Sequence, residues 1–196
     1  MINNTLISGA VISREVVYTK LDGTRMYQVI LETKRSSGIA DYIPCYIGEW
    51  VLLEDVQEGD RIKIRGQLRT YNLEGHLKIV IYAVNVAKDY DEEDLNYVQV
   101  EGVICKPVIN RQTPKAREIA DMMIASQRNR IKSSYIPCIV WGRNALYASR
   151  LSVGTKVYVE GRFQSRIYTK VLEDGETEDR TAYELSLQWL ETLEDE

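Results

Sequence analysis

Apolar and polar residues alternate along most of the chain, and this period of two is typical of strands with one buried face. The strands that the alternation predicts in the first half are 6–17, 27–34, 42–47, 61–71 and 76–86. Two sequences rich in Gly, Asn and Asp, at 21–24 and 72–75, indicate the turns of two hairpins. The apolar spacing at 50–56 predicts instead a short helix, which Glu58-Gly59-Asp60 ends.

The same pattern returns later in the chain, together with a repeated tetrapeptide. Tyr-Ile-Pro-Cys stands at 42–45 and again at 135–138, an offset of 93. Residues 59–66 match 154–161 at an offset of 95. A repeat of this length indicates a small domain used twice rather than a solenoid unit. We therefore divide the chain into a first module at 1–88, an acidic linker at 89–97 and a second module at 98–193.

Each module has the strand order of an OB-fold, which is a small five-stranded Greek-key barrel. The second module repeats the order of the first, with a helix at 144–151, a closing hairpin that turns at 173–175 and a last strand at 182–190. Gly66 and Gly161 fall inside strands, where glycine most often marks a bulge or a sharp bend. The expected fold class is all-β, with two tandem OB-fold barrels that each carry a short helix.

Composition argues against several classes of function. No apolar run approaches the roughly 20 residues of a membrane span, and the first residues lack the regions of a signal peptide, so we expect a cytoplasmic protein. One histidine and three cysteines offer no metal set and no histidine-based triad, and there is no phosphate-binding loop. The carboxylates of 91–94 and 173–179 form acidic runs typical of solvated loops. We therefore expect no enzymatic activity, no cofactor and no metal.

The distribution of charge matters more than the net charge of −4. Residues 106–170 carry 13 basic and 3 acidic side chains, whereas 171–196 carry 1 and 10. A polyanion responds to the local potential, because exposed charges more than about 10 Å apart are largely screened. The body of the second module is therefore a candidate nucleic-acid binder.

Strand alternation places aromatic rings among cations on one outer face of each module. The outward residues of the third and fourth strands are Tyr135, Ile139, Trp141, Arg162, Gln164, Arg166 and Tyr168 in the second module. Those of the first module are Tyr42, Tyr46, Arg61, Lys63, Arg65, Arg69 and Tyr71. Cys45 and Cys138 fall on the inward side and are interpreted as small core residues. Trp50 and Trp189 are interpreted as structural residues.

Rings among cations suit a single-stranded nucleic acid. Aromatic rings stack with unpaired bases at roughly 1–3 kcal/mol per base, while cations follow the phosphate backbone. Stacking does not depend on the identity of the base, so the expected binding is tolerant of sequence. A duplex hides the faces of its bases, so single strands are the expected ligand.

Several segments of the second module resemble bacterial and phage single-stranded DNA-binding proteins. They are 121–128, 135–142, 153–168 and 184–190, and the resemblance covers nearly all of 98–193. The first module resembles a more divergent copy that keeps Tyr-Ile-Pro-Cys and the run 59–70.

The resemblance implies that the family's stacking aromatics fall on Tyr135, Trp141 and Tyr168. Tyr42 and Tyr71 are their counterparts in the first module, where Gly48 takes the place of Trp141. The second module is therefore expected to do most of the binding. The full expected set of single-stranded DNA-binding residues is Tyr135, Trp141, Tyr168, Arg128, Lys132, Arg143, Arg162 and Arg166, with Tyr42, Tyr46, Arg35, Arg65, Arg69 and Tyr71 from the first module.

The resemblance also implies an assembly and partners. Family members with two OB-folds per chain reach four as homodimers, so a homodimer is expected, located in the cytoplasm with the nucleoid. Replication or recombination proteins are the implied partners, with a role in replication, recombination or repair. The family's flexible tail with a terminal hydrophobic residue is not found before Glu196, so recruitment through such a tail is not expected.

Two alternatives stay open from the sequence. One is an assembly or loading adaptor that uses its OB-folds and acidic stretches to bind proteins. The other is an RNA-binding OB protein, which differs only in its preference for the sugar.

Overall fold

The structure is a computed structural model that describes residues 1–52, 55–113, 115–172 and 174–194, and its regular elements are almost all strands. The first half contains β1 (Asn3–Thr19), β2 (Arg25–Lys34), β3 (Ala40–Gly48), β4 (Arg61–Leu73) and β5 (His76–Lys88). The second half contains β6 (Asn96–Ile104), β7 (Ile109–Gln112), β8 (Glu118–Gln127), β9 (Ser133–Trp141), α1 (Arg143–Ala148), β10 (Lys156–Val171) and β11 (Thr177–Thr192). No helix within these ranges is long and apolar enough to cross a membrane.

The first five strands close into a barrel in the order β1-β2-β3-β5-β4-β1. Four of the pairings are antiparallel, and β3 pairs with β5 in parallel, with Cys45 opposite Ile81. Five strands closed by one parallel pairing form the OB-fold that the alternation predicts. Both predicted turns of this barrel are confirmed, because β2 begins at Arg25 and β5 at His76.

The second barrel closes in the same way through β6, β8, β9, β11 and β10. The counterpart of the long β1 is here divided into β6 and β7, which the alternation did not predict. Pro107 lies in the break, and proline has no amide hydrogen to donate to a neighbouring strand. The turn predicted at 173–175 lies between β10 and β11, although Glu173 is outside the described residues.

The predicted helices differ in outcome between the two barrels. The helix predicted at 144–151 is confirmed as α1, whose Ala145 and Ala148 are buried against the barrel. The helix predicted at 50–56 is wrong for the part that is described, because 49–52 form turns and a bend instead. Leu53 and Glu54 lie outside the described residues.

The turn after β3 has a local cause. The amides of Val51 and Leu52 both donate to the carbonyl of Gly48, at 2.9 and 3.1 Å, so the chain reverses at once. Aromatic and β-branched side chains lose rotamer freedom in a helix, so a segment beginning Trp50-Val51 is a weaker helix former than the alanine-containing α1.

The glycines inside the fourth strand of each barrel sit at bulges, as predicted. The β4–β5 register shifts between Arg65 and Gly66, and the β10–β11 register shifts between Glu160 and Gly161. A Cβ at Gly161 would lie 2.2 Å from the carbonyl oxygen of Ser186. Only glycine lets the two backbones approach this closely.

Strand alternation also predicted the core correctly. Cys45 and Cys138 are buried, and burial raises the pKa of each thiol. Phe163 of β10 is completely buried in the second barrel.

The two barrels meet through an antiparallel pairing of β1 with β6. Thr5 lies opposite Val98, and these residues are equivalent positions of the repeat, 93 apart. A strand pair centred on equivalent residues has a pseudo-two-fold axis, as an isologous dimer interface would. The barrels are therefore docked as two copies of one unit, within a continuous sheet of 11 strands.

Two equivalent contacts flank this pairing. The amide of Tyr42 donates to Ser165 Oγ (3.3 Å), and the amide of Tyr135 donates to Thr70 Oγ1 (2.8 Å). In each contact the fourth strand of one barrel crosses the third strand of the other. The outer face of each barrel therefore includes residues of the fourth strand of the other barrel.

The segment between β5 and β6, predicted as a linker, is folded onto β4. Asp89 and Asp94 are almost completely buried, and both form ion pairs with Arg61, at 3.1 and 2.6 Å. Lys63 forms ion pairs with Asp89 (3.2 Å) and Asp91 (2.8 Å). The acidic run therefore neutralises the first two outward cations of β4.

Candidate nucleic-acid interface

Trp141 ends β9 with its indole on the outer face of the second barrel. Its Nε1 donates to Ser186 Oγ on β11 (3.0 Å), and 37% of the residue is exposed. Ile139, two residues earlier on the same face, is buried. An aromatic ring that is fixed by its N–H and still accessible can stack with a flat ligand.

Two depressions adjoin this indole. The tryptophan cleft has a volume of about 510 Å³ and is lined by Arg35, Ile39, Arg117, Ile139, Trp141, Arg162, Gln164, Ser165, Arg166, Glu184 and Ser186. The helix cleft has a volume of about 590 Å³ and is lined by Arg117, Glu118, Trp141, Gly142, Arg143 and Leu146. Five different arginines thus surround one exposed indole.

The arginines of the tryptophan cleft differ in how far their charge is already neutralised. Arg35 forms a bidentate ion pair with the buried Asp41 (2.7 Å to each oxygen), which raises the pKa of Arg35. Arg166 lies 3.7 Å from Glu184. Arg162 has no carboxylate partner among the described residues, and its Nε is buried without a hydrogen bond there. Burial and the nearby Arg35 lower the pKa of Arg162.

A larger groove of about 860 Å³ lies between the barrels. It is lined by aromatic and proline residues of both barrels, and these are Pro44, Tyr46, Tyr71, Pro107, Pro137, Tyr168 and Tyr183. Arg166 and Glu184 line this central groove as well as the tryptophan cleft. The three depressions therefore adjoin one another, from Arg143 past Trp141 to the tyrosines between the barrels.

The tyrosines of the groove are arranged differently in the two barrels. Arg166 lies over the ring of Tyr168, 5.6 Å from its centroid. Tyr46 and Tyr71 form a pair, with their hydroxyls 2.6 Å and their ring centroids 5.8 Å apart. Burial and this hydrogen bond raise the pKa of Tyr46.

Eight of the 14 predicted site residues thus line the three depressions. They are Arg35, Tyr46, Tyr71, Trp141, Arg143, Arg162, Arg166 and Tyr168.

Four other predicted residues lie where β4 crosses β9. Tyr135 begins this crossing, and the exposed Arg128 and Lys132 lie in the turn before β9. Arg69 lies over the ring of Tyr82, 3.5 Å from its centroid, and burial and the nearby Arg128 lower the pKa of Arg69. The crossing is the pseudo-symmetric counterpart of the contact beside the tryptophan cleft.

Of the last two predicted residues, Tyr42 adjoins the tryptophan cleft through the hydrogen bond from its amide to Ser165, and Arg65 lies apart from these clusters. Tyr42 is exposed on β3, and its hydroxyl donates to Glu32 (3.1 Å), which raises the pKa of Tyr42. Arg65 lies opposite Leu6 on the part of β4 that pairs with β1. It is six residues from Tyr71 along the strand, or about 20 Å.

Sequence reasoning missed five residues that line the tryptophan cleft, which are Ile39, Arg117, Ser165, Glu184 and Ser186. Arg117 and Ile39 lie in loops, where alternation gives no direction for a side chain. Arg117 lies in a loop rich in basic residues, and this feature of the sequence could have indicated a role in binding. Trp50 and Trp189, interpreted as structural, are 57% and 54% exposed.

No group of three or more metal-ligating side chains that could hold an ion occurs in the part of the chain that the structure describes.

Comparison with known proteins adds a family and a fold. The sequence profile of the single-strand binding protein family matches residues 95–193, which span the second barrel. No curated protein sequence matches the chain.

Two crystal structures of the single-stranded DNA binding protein from Thermus aquaticus are similar over nearly the whole chain. A deletion mutant superposes with a TM-score of 0.79 at 17% identity, covering 99% of this chain and 96% of that one. The wild-type protein superposes with a TM-score of 0.79 at 16% identity, covering 100% and 94%. At such identities the similarity concerns the fold alone.

Proposed function

The chain belongs to the single-strand binding protein family, and from this premise we propose that it holds single-stranded DNA by stacking unpaired bases on Trp141. Membership of this family makes it a DNA-binding protein rather than an enzyme. The observation that carries the proposed mechanism is an exposed, hydrogen-bonded indole between two clefts lined by arginines.

The arginines around the indole suit the phosphate backbone. A partly buried guanidinium without a carboxylate partner, such as Arg162, gains an interaction when a phosphate enters the cleft. Arg117 and Arg143 extend the same positive surface beyond the ring. Because neither stacking nor phosphate contact depends on the base, the proposed binding is tolerant of sequence.

The adjoining depressions support a path for the strand. From Trp141 it passes Arg166 and Tyr168 and enters the central groove, where Tyr46 and Tyr71 offer further rings. We place Tyr135, Arg69, Arg128 and Lys132 on the continuation of this path over the β4–β9 crossing.

The biological role in this proposal is to coat and protect single-stranded DNA during replication, recombination or repair. The chain acts in the cytoplasm with the nucleoid, as a homodimer that presents four OB-folds. The native mass with and without DNA tests this assembly.

A fluorescence titration tests the binding. With oligo-dT of about 30 nucleotides at low salt, we expect quenching of tryptophan emission and binding that weakens steeply as salt rises. Trp141→Ala should lower the affinity by about 5- to 150-fold, whereas Trp189→Ala should not change it. Tighter competition by a matched RNA would favour an RNA-binding protein, and no binding at low salt would overturn the proposal.

A further inference from the structure

In the first barrel, the indole of Trp50 occupies the place that corresponds to Trp141, although the aligned residue there is Gly48. Gly48 is the counterpart of Trp141, 93 residues earlier, and each ends the third strand of its barrel. Each also lies opposite the equivalent residue of the second strand, Met26 for Gly48 and Ile119 for Trp141. The ring of Trp50 lies across Gly48, so that a Cβ built there would be 2.6 Å from its Cζ2.

We propose that Trp50 is the stacking ring of the first barrel and forms a second subsite for an unpaired base. The glycine at 48 leaves space on the outer face of β3, and the turn that follows places the indole in that space. This inference rests on the proposed function, because it assigns to Trp50 the role proposed for Trp141.

The turn that carries Trp50 is held through the preceding residue, Glu49. Arg25 forms an ion pair with Glu49, and the Arg25 amide donates to the same carboxylate (3.0 Å). The Glu49 amide donates to the Arg25 carbonyl (3.0 Å). The backbone next to Trp50 is therefore fixed before a ligand arrives, which limits the entropy lost on binding.

A cation also accompanies the ring. Lys20 Nζ lies 4.1 Å from the centroid of the indole and belongs to the turn between β1 and β2. The ammonium lies over one face of the ring, so a base that stacks on this face displaces the flexible Lys20 side chain, whose charge can then contact the phosphate of the same nucleotide.

The subsite continues a face that already carries a ring. Tyr46 is two residues before Gly48 on the outer side of β3, and residues so spaced lie about 7 Å apart along a strand. Tyr46 of the central groove and the Trp50 indole at the end of β3 therefore follow one another on one face of the first barrel. DNA that leaves the groove on this side would reach Trp50 next.

Trp189 is about as exposed as Trp50, but its surroundings do not suit a nucleic acid. Its exposure of 54% is close to the 57% of Trp50, but its Nε1 donates to Glu191 (3.2 Å) and it lies opposite Glu160 on β10. Two carboxylates at this ring disfavour an approaching phosphate. Trp189 is therefore a matched control for Trp50.

Single-tryptophan proteins separate the three rings. Phenylalanine replaces two tryptophans in each protein, which leaves one indole to report: W141F/W189F for Trp50, W50F/W189F for Trp141 and W50F/W141F for Trp189. Each is titrated at low salt with oligo-dT of about 30 nucleotides, enough for two OB-folds at about 4–16 nucleotides each. We expect quenching of Trp50 and Trp141 and none of Trp189.

Affinity gives the second readout. Trp50→Ala should weaken binding of the same oligonucleotide by about 5- to 150-fold, and Trp50→Phe should restore most of the loss because it keeps a ring. Quenching of Trp141 without quenching of Trp50, or unchanged affinity in Trp50→Ala, would overturn this inference and leave the proposed function in place. Failure of the native protein to bind would remove the proposed function itself.

Discussion

At the scale of single residues, Arg162 of the proposed binding site has no carboxylate partner among the described residues. Its guanidinium is partly buried, and its Nε has no hydrogen-bond partner within the described ranges. Its Nη2 donates to the uncharged Gln164 (3.0 Å), and burial together with the nearby Arg35 lowers the pKa of Arg162. The equivalent residue of the first barrel, 95 positions earlier, is Gln67, so the fold itself does not require arginine here.

Arg162→Gln should therefore lower the affinity for DNA without lowering the stability of the fold. We expect the affinity for oligo-dT to fall by about 10- to 150-fold, since a charged hydrogen bond contributes about 1.5–3 kcal/mol. The slope of log affinity against log salt should decrease by about 0.7, the value for one phosphate contact. The free energy of unfolding should stay equal or rise, because a desolvated charge is removed.

Arg150→Gln is the control for this change, because Arg150 is exposed and lies outside the three depressions. It should leave affinity and salt dependence unchanged. A loss of stability in Arg162→Gln with unchanged affinity would instead mean that Arg162 is a structural residue.

At the scale of elements, the acidic segment after β5 is part of the first barrel's surface. Asp89 follows β5 and is buried against Arg61 and Lys63 of β4. The Asp94 carboxylate accepts a hydrogen bond from the Lys34 amide (2.6 Å). Burial would raise the pKa of Asp89, but its contacts with Lys63, Ser8 and Arg61 outweigh burial and lower it. The segment therefore removes Arg61 and Lys63 from the cations available to DNA.

Asp89→Asn should lower the free energy of unfolding at pH 7. The pKa of Asp89 is lower in the folded state than the ordinary aspartate value of 3.8. Its contribution to the free energy of unfolding is therefore complete above pH 3.8 and is lost as the pH falls through the folded pKa. Urea denaturation of both proteins at pH 7 and at a pH below 3.8 measures this. The difference in free energy of unfolding between the native protein and Asp89→Asn should shrink at the lower pH. A difference that grows there would contradict the ion pairs assigned to Asp89.

Element prediction succeeded where the signal was local. Alternation gave both barrels, the bulges at Gly66 and Gly161 and the buried cysteines, because each depends on neighbours along one strand. It failed for the described part of 50–56 and at the β6–β7 break, where the direction of the chain depends on single residues such as Pro107. It could not show that Trp50 lies across Gly48, because that contact depends on a turn outside the alternation.

At the scale of the whole molecule, the two barrels form a pseudo-symmetric pair whose contacts are unequal. Asp41 of β3 accepts from Arg35 and from the amide of Ser165 in the other barrel (2.9 Å). Its counterpart in the second barrel is Ser134, which is buried with no hydrogen-bond partner for its Oγ in the described part of the chain. The two crossings thus share one docking geometry, and of these two counterparts only Asp41 forms a buried ion pair.

Asp41→Ala should destabilise the protein by about 3 kcal/mol, because it leaves Arg35 partly buried without its partner and removes a bond between the barrels. Ser134→Ala, the same change at the equivalent crossing, should not lower stability, since its Oγ has no hydrogen-bond partner among the described residues and burial of an unpaired hydroxyl is unfavourable. Urea denaturation of the full chain measures both. Equal effects of the two substitutions would mean that the ion pair adds nothing to the docking of the barrels.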